Sequence, residues 1–296
     1  MSTYRELLNW GQEILELAKV PDASVDAWEL MEFVFAMEKS CYFLCRDDKI
    51  EDESRRKRYR ELIRQRAARV PLQQITGRAW FMGYEFLVDP HVLVPRFDTE
   101  CLVEEAERLL RPGMRILDMC TGSGCILLSL LGRNPGVQGV GADISPEALR
   151  LAGKNREKLK LKAELICSDL FERVEGRFDM IISNPPYIPS GEIEGLMPEV
   201  RDHEPRTALD GHEDGLYFYR KIVEQAGNYL NPGGWLAFEI GSSQGNDLRR
   251  MLKAAGFEQV RVGKDLAGLD RTAWGQYFPE ETRGVDKDEC RRNKDV

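Results

Sequence analysis

Residues that ligate metals or form bridges are scarce in this chain. Only three of 296 residues are histidine, His91, His203 and His212, and they are widely spaced. The 7 cysteines (Cys41, Cys45, Cys101, Cys120, Cys125, Cys167 and Cys290) are odd in number and contain no Cys-x-x-Cys pair. These patterns exclude a zinc framework and a disulfide framework, and free thiols fit a reducing compartment such as the cytoplasm. No apolar run approaches the length needed to span a membrane. Met1 to Gln12 has no basic stretch leading into an apolar core, so no secretory leader is expected. Positive charge is in deficit: 42 basic residues against 50 acidic ones leave a net charge of −8. That argues against a dominant, sequence-independent grip on nucleic acid. It leaves room for a local basic patch. The hydrophobic content of 42% is that of an ordinary globular protein, long enough for one large domain and one small one.

Three stretches and a tail are legible in what remains. Residues 1–75 read as an all-helical N-terminal domain. Leu7, Leu8, Ile14, Leu15 and Ala18 form one apolar stripe behind a Ser2 cap; Ala27, Leu30, Met31, Val34 and Met37 form a second. A short turn covers 42–45, and a longer helix runs over about 52–68. It carries Arg55, Arg56, Lys57, Arg58, Arg60, Arg64 and Arg66, with Arg69 just beyond. Such a face either docks an acidic or RNA-containing partner or is a solvated surface with Glu51, Asp52, Glu53 and Glu61 as counter-charge.

In 76–98 the pattern changes to aromatic and β-branched residues (Trp80, Phe81, Tyr84, Phe86, Val88, Val92, Val94) around Met82-Gly83, which predicts a β-hairpin linking two domains. From 99 to 279 strands alternate with helices, the first helix capped by Asp98 or Thr99. Strands are expected at 115–119, 137–143, 164–168, 178–183, 235–240, 257–262 and near 272–277. The fold class is α/β: an open, mostly parallel Rossmann-like sheet with helices on both faces, whose ligands bind beyond the carboxyl ends of the strands. The connection 188–214 has no periodicity and starts beside Tyr187, so a substrate-covering role is expected. The charged tail 280–296 is expected to be disordered.

The chain is organised around Ile181-Ile182-Ser183-Asn184-Pro185-Pro186-Tyr187, where an apolar strand ends in an amide, two prolines and an aromatic ring. Each proline fixes its own φ and pushes its predecessor out of the helical region. Asn184 and Pro185 are thus held extended, with carbonyl groups forming a stiff acceptor rim and Tyr187 supplying a flat face. A planar group bearing NH2, an amide or a base amine, suits such a rim: the Asn184 side-chain oxygen and the Pro185 carbonyl each accept one N–H, and the nitrogen lone pair faces an electrophile. A proline-rich turn after a strand is the plain alternative.

Upstream, Asp118-Met119-Cys120-Thr121-Gly122-Ser123-Gly124 follows the first strand, where glycine permits close backbone approach to a ligand. Asp143 closes the second strand and suits a ribose diol. It also suits helix entry ahead of Ser145. Asp169-Leu170 ends the third strand, beside where an adenine would lie. Cys120 takes the first glycine position of a dinucleotide fingerprint read from 120, and Leu127 the third of one read from Gly122, so a pyrophosphate cradle is poorly supported.

Together these runs resemble class I S-adenosylmethionine-dependent methyltransferases acting on planar nitrogen. With Val92-Leu93-Val94-Pro95-Arg96, Asp98-Thr99-Glu100, Asp143-Ile144-Ser145-Pro146, Glu204-Pro205, Ala208-Leu209 and Asp214-Gly215-Leu216, the chain resembles the release-factor glutamine methyltransferases over about residues 3–272. The Asn-Pro-Pro-Tyr motif alone is shared with adenine-N(6) methyltransferases. The resemblance implies a helical domain that docks the protein substrate, a hairpin linker and a Rossmann-like catalytic domain. It implies S-adenosyl-L-methionine as cofactor, S-adenosyl-L-homocysteine as product, and the glutamine of the Gly-Gly-Gln loop in class I peptide chain release factors as target. Carried over, Cys120, Thr121, Gly122, Ser123 and Gly124 meet the methionine and ribose portions, Asp143 the ribose hydroxyls, and Asp169 and Leu170 the adenine. Asn184, Pro185, Pro186 and Tyr187 hold the glutamine amide, and Asn184 also borders the cofactor.

Two departures stand out: Cys120 replaces a usual glycine, which predicts φ < 0 there, and Phe97 replaces a usual proline. No histidine or cysteine base is expected near the motif. No metal, no membrane and no stable nucleic-acid partner is expected, and the free protein should be monomeric and cytoplasmic. The rivals are a ribosomal-protein glutamine methyltransferase, an adenine-N(6) methyltransferase on a flipped base, an inert adenine-nucleotide binder and, last, a nicotinamide oxidoreductase.

Overall fold

Thr3 starts the first helix. Its hydroxyl accepts the Glu6 amide while its own N–H donates to the Glu6 carboxylate, a reciprocal pair that needs an acid three residues on. The cap is therefore Thr3 and not Ser2, because Thr3 and Glu6 have that spacing. The computed structural model describes residues 2–279, so the tail 280–296 lies outside the described residues. The chain forms two compact units: one up to Arg78 together with 196–203, the other 79–195 and from Glu204 onward.

The first unit contains α1 (Tyr4–Leu17), α2 (Ala23–Phe35), α3 (Lys39–Cys45), α4 (Glu53–Ala67) and a short α5 (Leu72–Thr76) that the sequence pattern does not announce. Leu7, Leu15, Leu30, Met31, Leu62 and Ile63 fill its core. Gly11 lets α4 approach α1, since a Cβ there would strike the Tyr59 phenol. That phenol donates to the Ala27 carbonyl at 3.0 Å. The basic residues of α4 are largely consumed inside this unit. Arg55 pairs with Asp52, Arg56 with Glu53 and Arg58 with Glu61. Arg60 lies over the Trp10 ring, 5.3 Å from its centroid. Arg66 is buried between Asp26 (2.6 Å) and Glu199 (2.9 Å), and Arg69 grips Glu199 with two bonds of 2.6 Å. Glu199 comes from the long connection, which is far from featureless.

The second unit opens with a hairpin of β1 (Arg78–Phe81) and β2 (Tyr84–Leu87). Met82 and Gly83, at φ 52° and 81°, make a turn whose twist matches paired strands. Phe81, Met82 and Phe86 pack into this unit's core with Leu102, Val103, Ile126 and Leu127, so the hairpin is part of the unit it precedes. α6 (Phe97–Leu109) starts earlier than its predicted cap: Arg96 is the N-cap, without a side-chain bond, and Thr99 is buried in the first turn. Arg96 is drawn elsewhere, to Glu204, at 2.7 and 2.8 Å.

From there the order is β3 (Arg115–Met119), α7 (Cys125–Arg133), β4 (Gln138–Asp143), α8 (Pro146–Leu159), β5 (Glu164–Cys167) and β6 (Phe178–Ser183). A short α9 (Pro198–Arg201) belongs to the first unit. Then follow α10 (Tyr217–Tyr229), β7 (Leu230–Glu239), α11 (Gly245–Ala254), β8 (Glu258–Lys264) and β9 (Asp270–Gln276). α8 has the expected entry, with the Ser145 hydroxyl accepting Ala148 N and Pro146 in the first turn.

The sheet order is β5-β4-β3-β6-β7-β9-β8; β9 alone is reversed, antiparallel to both β7 and β8, and the other strands run parallel to one another. One face buries Leu117, Ile181, Leu236 and Phe238 with residues of α10 and α11; the other buries Ile116, Ile182, Ala237 and Trp274 with α6 and α7. Strands buried on both faces explain the unbroken apolar runs. The chain winds outward from β3 and returns beside it at β6, so the direction of winding switches between these two strands. A ligand crevice opens at such a switch point.

Candidate active site

At the carboxyl end of β3 the chain must turn sharply and still keep its polar groups satisfied. Asp118, fully buried, accepts the Thr121 hydroxyl at 2.6 Å and the Leu127 amide at 3.2 Å through one oxygen; the other, Oδ1, is buried without a partner. Burial pushes its carboxyl up to about 7, against those two bonds. Thr121 N donates to Ala142 O at 3.1 Å, tying the loop to β4. Asn155 of α8 donates to Ser123 O at 2.9 Å and to Leu87 O at 3.0 Å.

The turn itself is left-handed at Cys120, Gly122 and Gly124, with φ of 61°, 55° and 79°. Cys120 thus departs from its expected negative φ. The bonds at Thr121 and Asp118 on one side, and the strand on the other, impose a conformation that costs a non-glycine residue about 1–2 kcal/mol. Burial pushes the Cys120 thiol upward and that of Cys125 up to about 12, so neither supplies a thiolate near neutrality.

Asp143 stands at the end of β4. One of its oxygens accepts Gly122 N at 2.8 Å and the other Ser145 N at 2.9 Å. It therefore serves helix entry and faces the β3 loop at once. Burial raises its carboxyl, partly opposed by the Ser145 and Gly122 amides. Past β5, Leu170 is also left-handed (φ 46°), held by the Ser168 hydroxyl donating to its carbonyl at 2.8 Å.

On the neighbouring strand, Ser183 donates its hydroxyl to Met119 O at 2.6 Å, binding the ends of β6 and β3 together. Asn184 is half-buried, and Pro185 and Pro186 are buried. The Tyr187 phenol donates to Glu239 at the end of β7, and burial raises that phenol's pKa further than the nearby charges do. Ile188 then pairs with the 209–211 strand segment, its N–H on Leu209 O and its carbonyl on Gly211 N.

A cavity of about 430 Å³ joins these strand ends. Cys120, Thr121, Gly122, Ser123, Asp143, Asp169, Leu170, Asn184 and Pro186 all line it. Gly124, Pro185 and Tyr187 do not border it: Gly124 turns the chain into α7, and Tyr187 is braced against β7. His91 and His212 also line it, and neither was among the expected site residues. Each reaches the wall by a backbone fold with no local signature. His212 sits at φ 67° and packs its ring 4.2 Å from that of Tyr217. Sequence reasoning also passed over Glu239 and Gln244, which hold Tyr187. The polar end of the apolar run before Gly241 was their one signal.

A seven-stranded sheet, parallel except for the reversed β9 between β7 and β8, with a cavity over the β3/β6 switch point, is the architecture of Rossmann-like methyltransferases. A solved methyltransferase from Pyrococcus furiosus shares this fold, with a TM-score of 0.52 and 21% identity over 73% of this chain and 99% of that one. Residues 6–77 match the family described as PrmC N-terminal domain, and residues 95–197 the methyltransferase small domain. The chain is 41% identical over 275 residues to the release factor glutamine methyltransferase of Geobacter sulfurreducens, covering 93% of this chain and 96% of that protein. It is 39% identical over 253 residues to that of Clostridium acetobutylicum, covering 83% and 88%. The chain belongs to the release factor glutamine methyltransferase family, and it is a methyltransferase.

Proposed function

We propose that this enzyme methylates the side-chain amide nitrogen, N(5), of the glutamine in the Gly-Gly-Gln motif of class I peptide chain release factors, with S-adenosyl-L-methionine as donor. The observation that carries this reading is that Asn184 and Pro186 share one cavity with Asp143 and the Cys120–Ser123 wall. The residues present fit the donor. A half-buried carboxylate, Asp143, lines the cavity and suits a ribose diol, and the left-handed 120–124 turn exposes backbone for close approach. Asp169 and Leu170 border the place for an adenine.

Bound there, the donor supplies an electrophilic methyl group on a sulfonium. An amide nitrogen is a poor nucleophile, since its lone pair is delocalised into the carbonyl. On this reading the Asn184 side-chain oxygen at the cavity wall accepts one N–H, and the other falls to the Pro185 carbonyl, whose peptide joins Pro185 to the wall residue Pro186; this fixes the angle of attack and raises electron density on nitrogen. As the methyl group passes from sulfur to nitrogen, positive charge would build on that nitrogen, and those acceptor dipoles would stabilise it. One N–H proton then leaves to solvent, since an N-protonated amide is a strong acid. Cys120 and Cys125, held as thiols, take no part.

The ribosomal-protein and adenine-N(6) readings use the same rim, and the names of the similar proteins favour release factors over both. No helix among the described residues is long and apolar enough to cross a membrane. We infer a cytoplasmic enzyme, monomeric when free, whose helical unit docks the release factor. Because most arginines of α4 are paired within that unit, its surface acts through shape more than through free charge. Reversing Arg55 and Arg58 to glutamate should leave the KM for release factor within about twofold, since exposed pairs are worth little; a large rise would restore a charge-led dock.

The test of the function is label transfer from S-adenosylmethionine to a purified release factor, beside a version whose Gly-Gly-Gln glutamine is alanine. Label on the first alone is the expected result. Label appearing instead on ribosomal protein or nucleic acid would hand the function to a rival.

A further inference from the structure

Tyr187 is gripped at both ends. Its phenol donates to Glu239 Oε1 at 3.2 Å, and its carbonyl accepts Gln244 Nε2 at 3.0 Å. Gln244 is itself fixed: Oε1 accepts Gly241 N at 2.9 Å, and Nε2 also reaches Gly215 O at 3.2 Å. The backbone behind Tyr187 is packed as closely as glycine allows. A Cβ on Gly211 would lie 2.8 Å from Tyr187 Cα, and one on Gly215 would collide with the Tyr187 carbonyl oxygen.

Glu239 is 2% exposed and has one carboxylate oxygen, Oε2, buried without a hydrogen-bond partner. Thr99, which lines the cavity, and Arg271 stand near it. Parallel pairing of Ser183 with Phe238 places Glu239 one residue on, level with Asn184. A carboxylate buried with an oxygen to spare is a poor stabilising device, because desolvation outweighs what Thr99, Arg271 and the Tyr187 phenol return. An apolar side chain at the end of β7 would pack at lower cost. What Glu239 provides and an apolar residue cannot is a fixed acceptor for the Tyr187 hydroxyl.

We propose that Glu239 is a positioning residue for methyl transfer. It acts through the Tyr187 hydroxyl and holds that ring behind the wall that Asn184 and Pro186 give the cavity, while Gln244 secures the backbone end. This rests on the reading that Asn184 to Tyr187 hold the amide of the release-factor glutamine. A ring free to swing would let the nitrogen drift from the in-line approach, and misplacement by about 1 Å is worth about 100-fold in rate.

The experiment is single-turnover and steady-state label transfer to release factor with Glu239→Ala, Glu239→Gln, Tyr187→Phe and the Glu239→Ala/Tyr187→Phe double variant, alongside the cofactor Kd of each. Glu239→Ala should lower kcat by about 10- to 100-fold with the cofactor Kd within about twofold. Glu239→Gln, whose amide oxygen still accepts the phenol, should restore most of that loss. Tyr187→Phe should match Glu239→Ala, and the double variant should fall no further than either. Losses that multiply in the double variant, a Glu239→Gln enzyme as poor as Glu239→Ala, or a loss seen only in cofactor Kd would overturn the proposal. If Glu239→Ala does not fold, Tyr187→Phe decides: wild-type kcat in that variant overturns the proposal, and a 10-fold or greater loss with unchanged melting temperature supports it. A wild-type enzyme that labels no release factor would remove the underlying reading together with this one.

Discussion

The two rims of the cavity hold their groups by different means. Where β3 and β4 end, the work is done by backbone: Cys120, Gly122 and Gly124 are left-handed, and the Asp143 carboxylate takes the amides of Gly122 and Ser145. Where β6 and β7 end, two prolines stiffen the chain and side chains brace it, Glu239 on the Tyr187 phenol and Gln244 on the Tyr187 carbonyl. A rim made of torsions tolerates side-chain change wherever the torsion survives. A rim made of side-chain braces fails when one atom is removed. The first suits binding of an invariant cofactor, the second the alignment of a reacting atom.

The sharpest way to break that contrast is at Asn184. On the proposed reading, in which it removes one of two acceptors at the reacting nitrogen, Asn184→Ala should lower turnover by about a thousandfold and leave cofactor affinity within about threefold. Label transfer and calorimetric titration check the two halves separately, and near-normal turnover would end the assignment. Next in size is the floor of the cofactor rim. Asp118 has a folded-state carboxyl raised from 3.8 to about 7, so the folded chain keeps a proton that the unfolded chain releases. Its contribution is full below about pH 4 and is lost as pH climbs toward 7, on the order of 4 kcal/mol at most. Urea midpoints between pH 5 and pH 8 should therefore fall more steeply in the wild type than in Asp118→Asn; equal slopes would show that the buried carboxylate is not responsible.

Asp143→Ala comes third. Losing a charged acceptor should weaken the cofactor about 10- to 100-fold and leave kcat at saturation far less affected. A kcat loss with unchanged affinity would contradict the division of labour between the rims. The smallest effect belongs to Cys120→Gly. Relief of the left-handed torsion is offset by the greater chain entropy of glycine, so stability should shift by less than about 1 kcal/mol, with cofactor affinity retained. A larger loss in thermal melts would mean that the thiol packs in its own right.

Much of the second unit was readable from the chain: the strand–helix alternation, the Ser145-Pro146 entry to α8, the Met82-Gly83 turn, and the runs 120–123 and 169–170 that meet at one cavity with Asp143, Asn184 and Pro186. Each of these is announced by proline, glycine or an apolar period within a few residues. The misses share a different cause. The Thr3 cap depends on Glu6, the Arg96 cap on the pull of Glu204, and the Cys120 torsion on bonds to β4 and α7. Glu199 was hidden in a connection without periodicity because its meaning lies in Arg66 and Arg69, 130 residues from Arg69 along the chain.

By itself the sequence determined where the strands stop and that two prolines stiffen the chain after one of them, because torsional restriction and side-chain period are local properties. Only the tertiary structure decided which carboxylates are buried and what they hold. Desolvation and hydrogen bonding depend on neighbours that arrive from distant strands: Glu239 reaches Tyr187 across 52 residues, and Asp143 reaches Gly122 across 21.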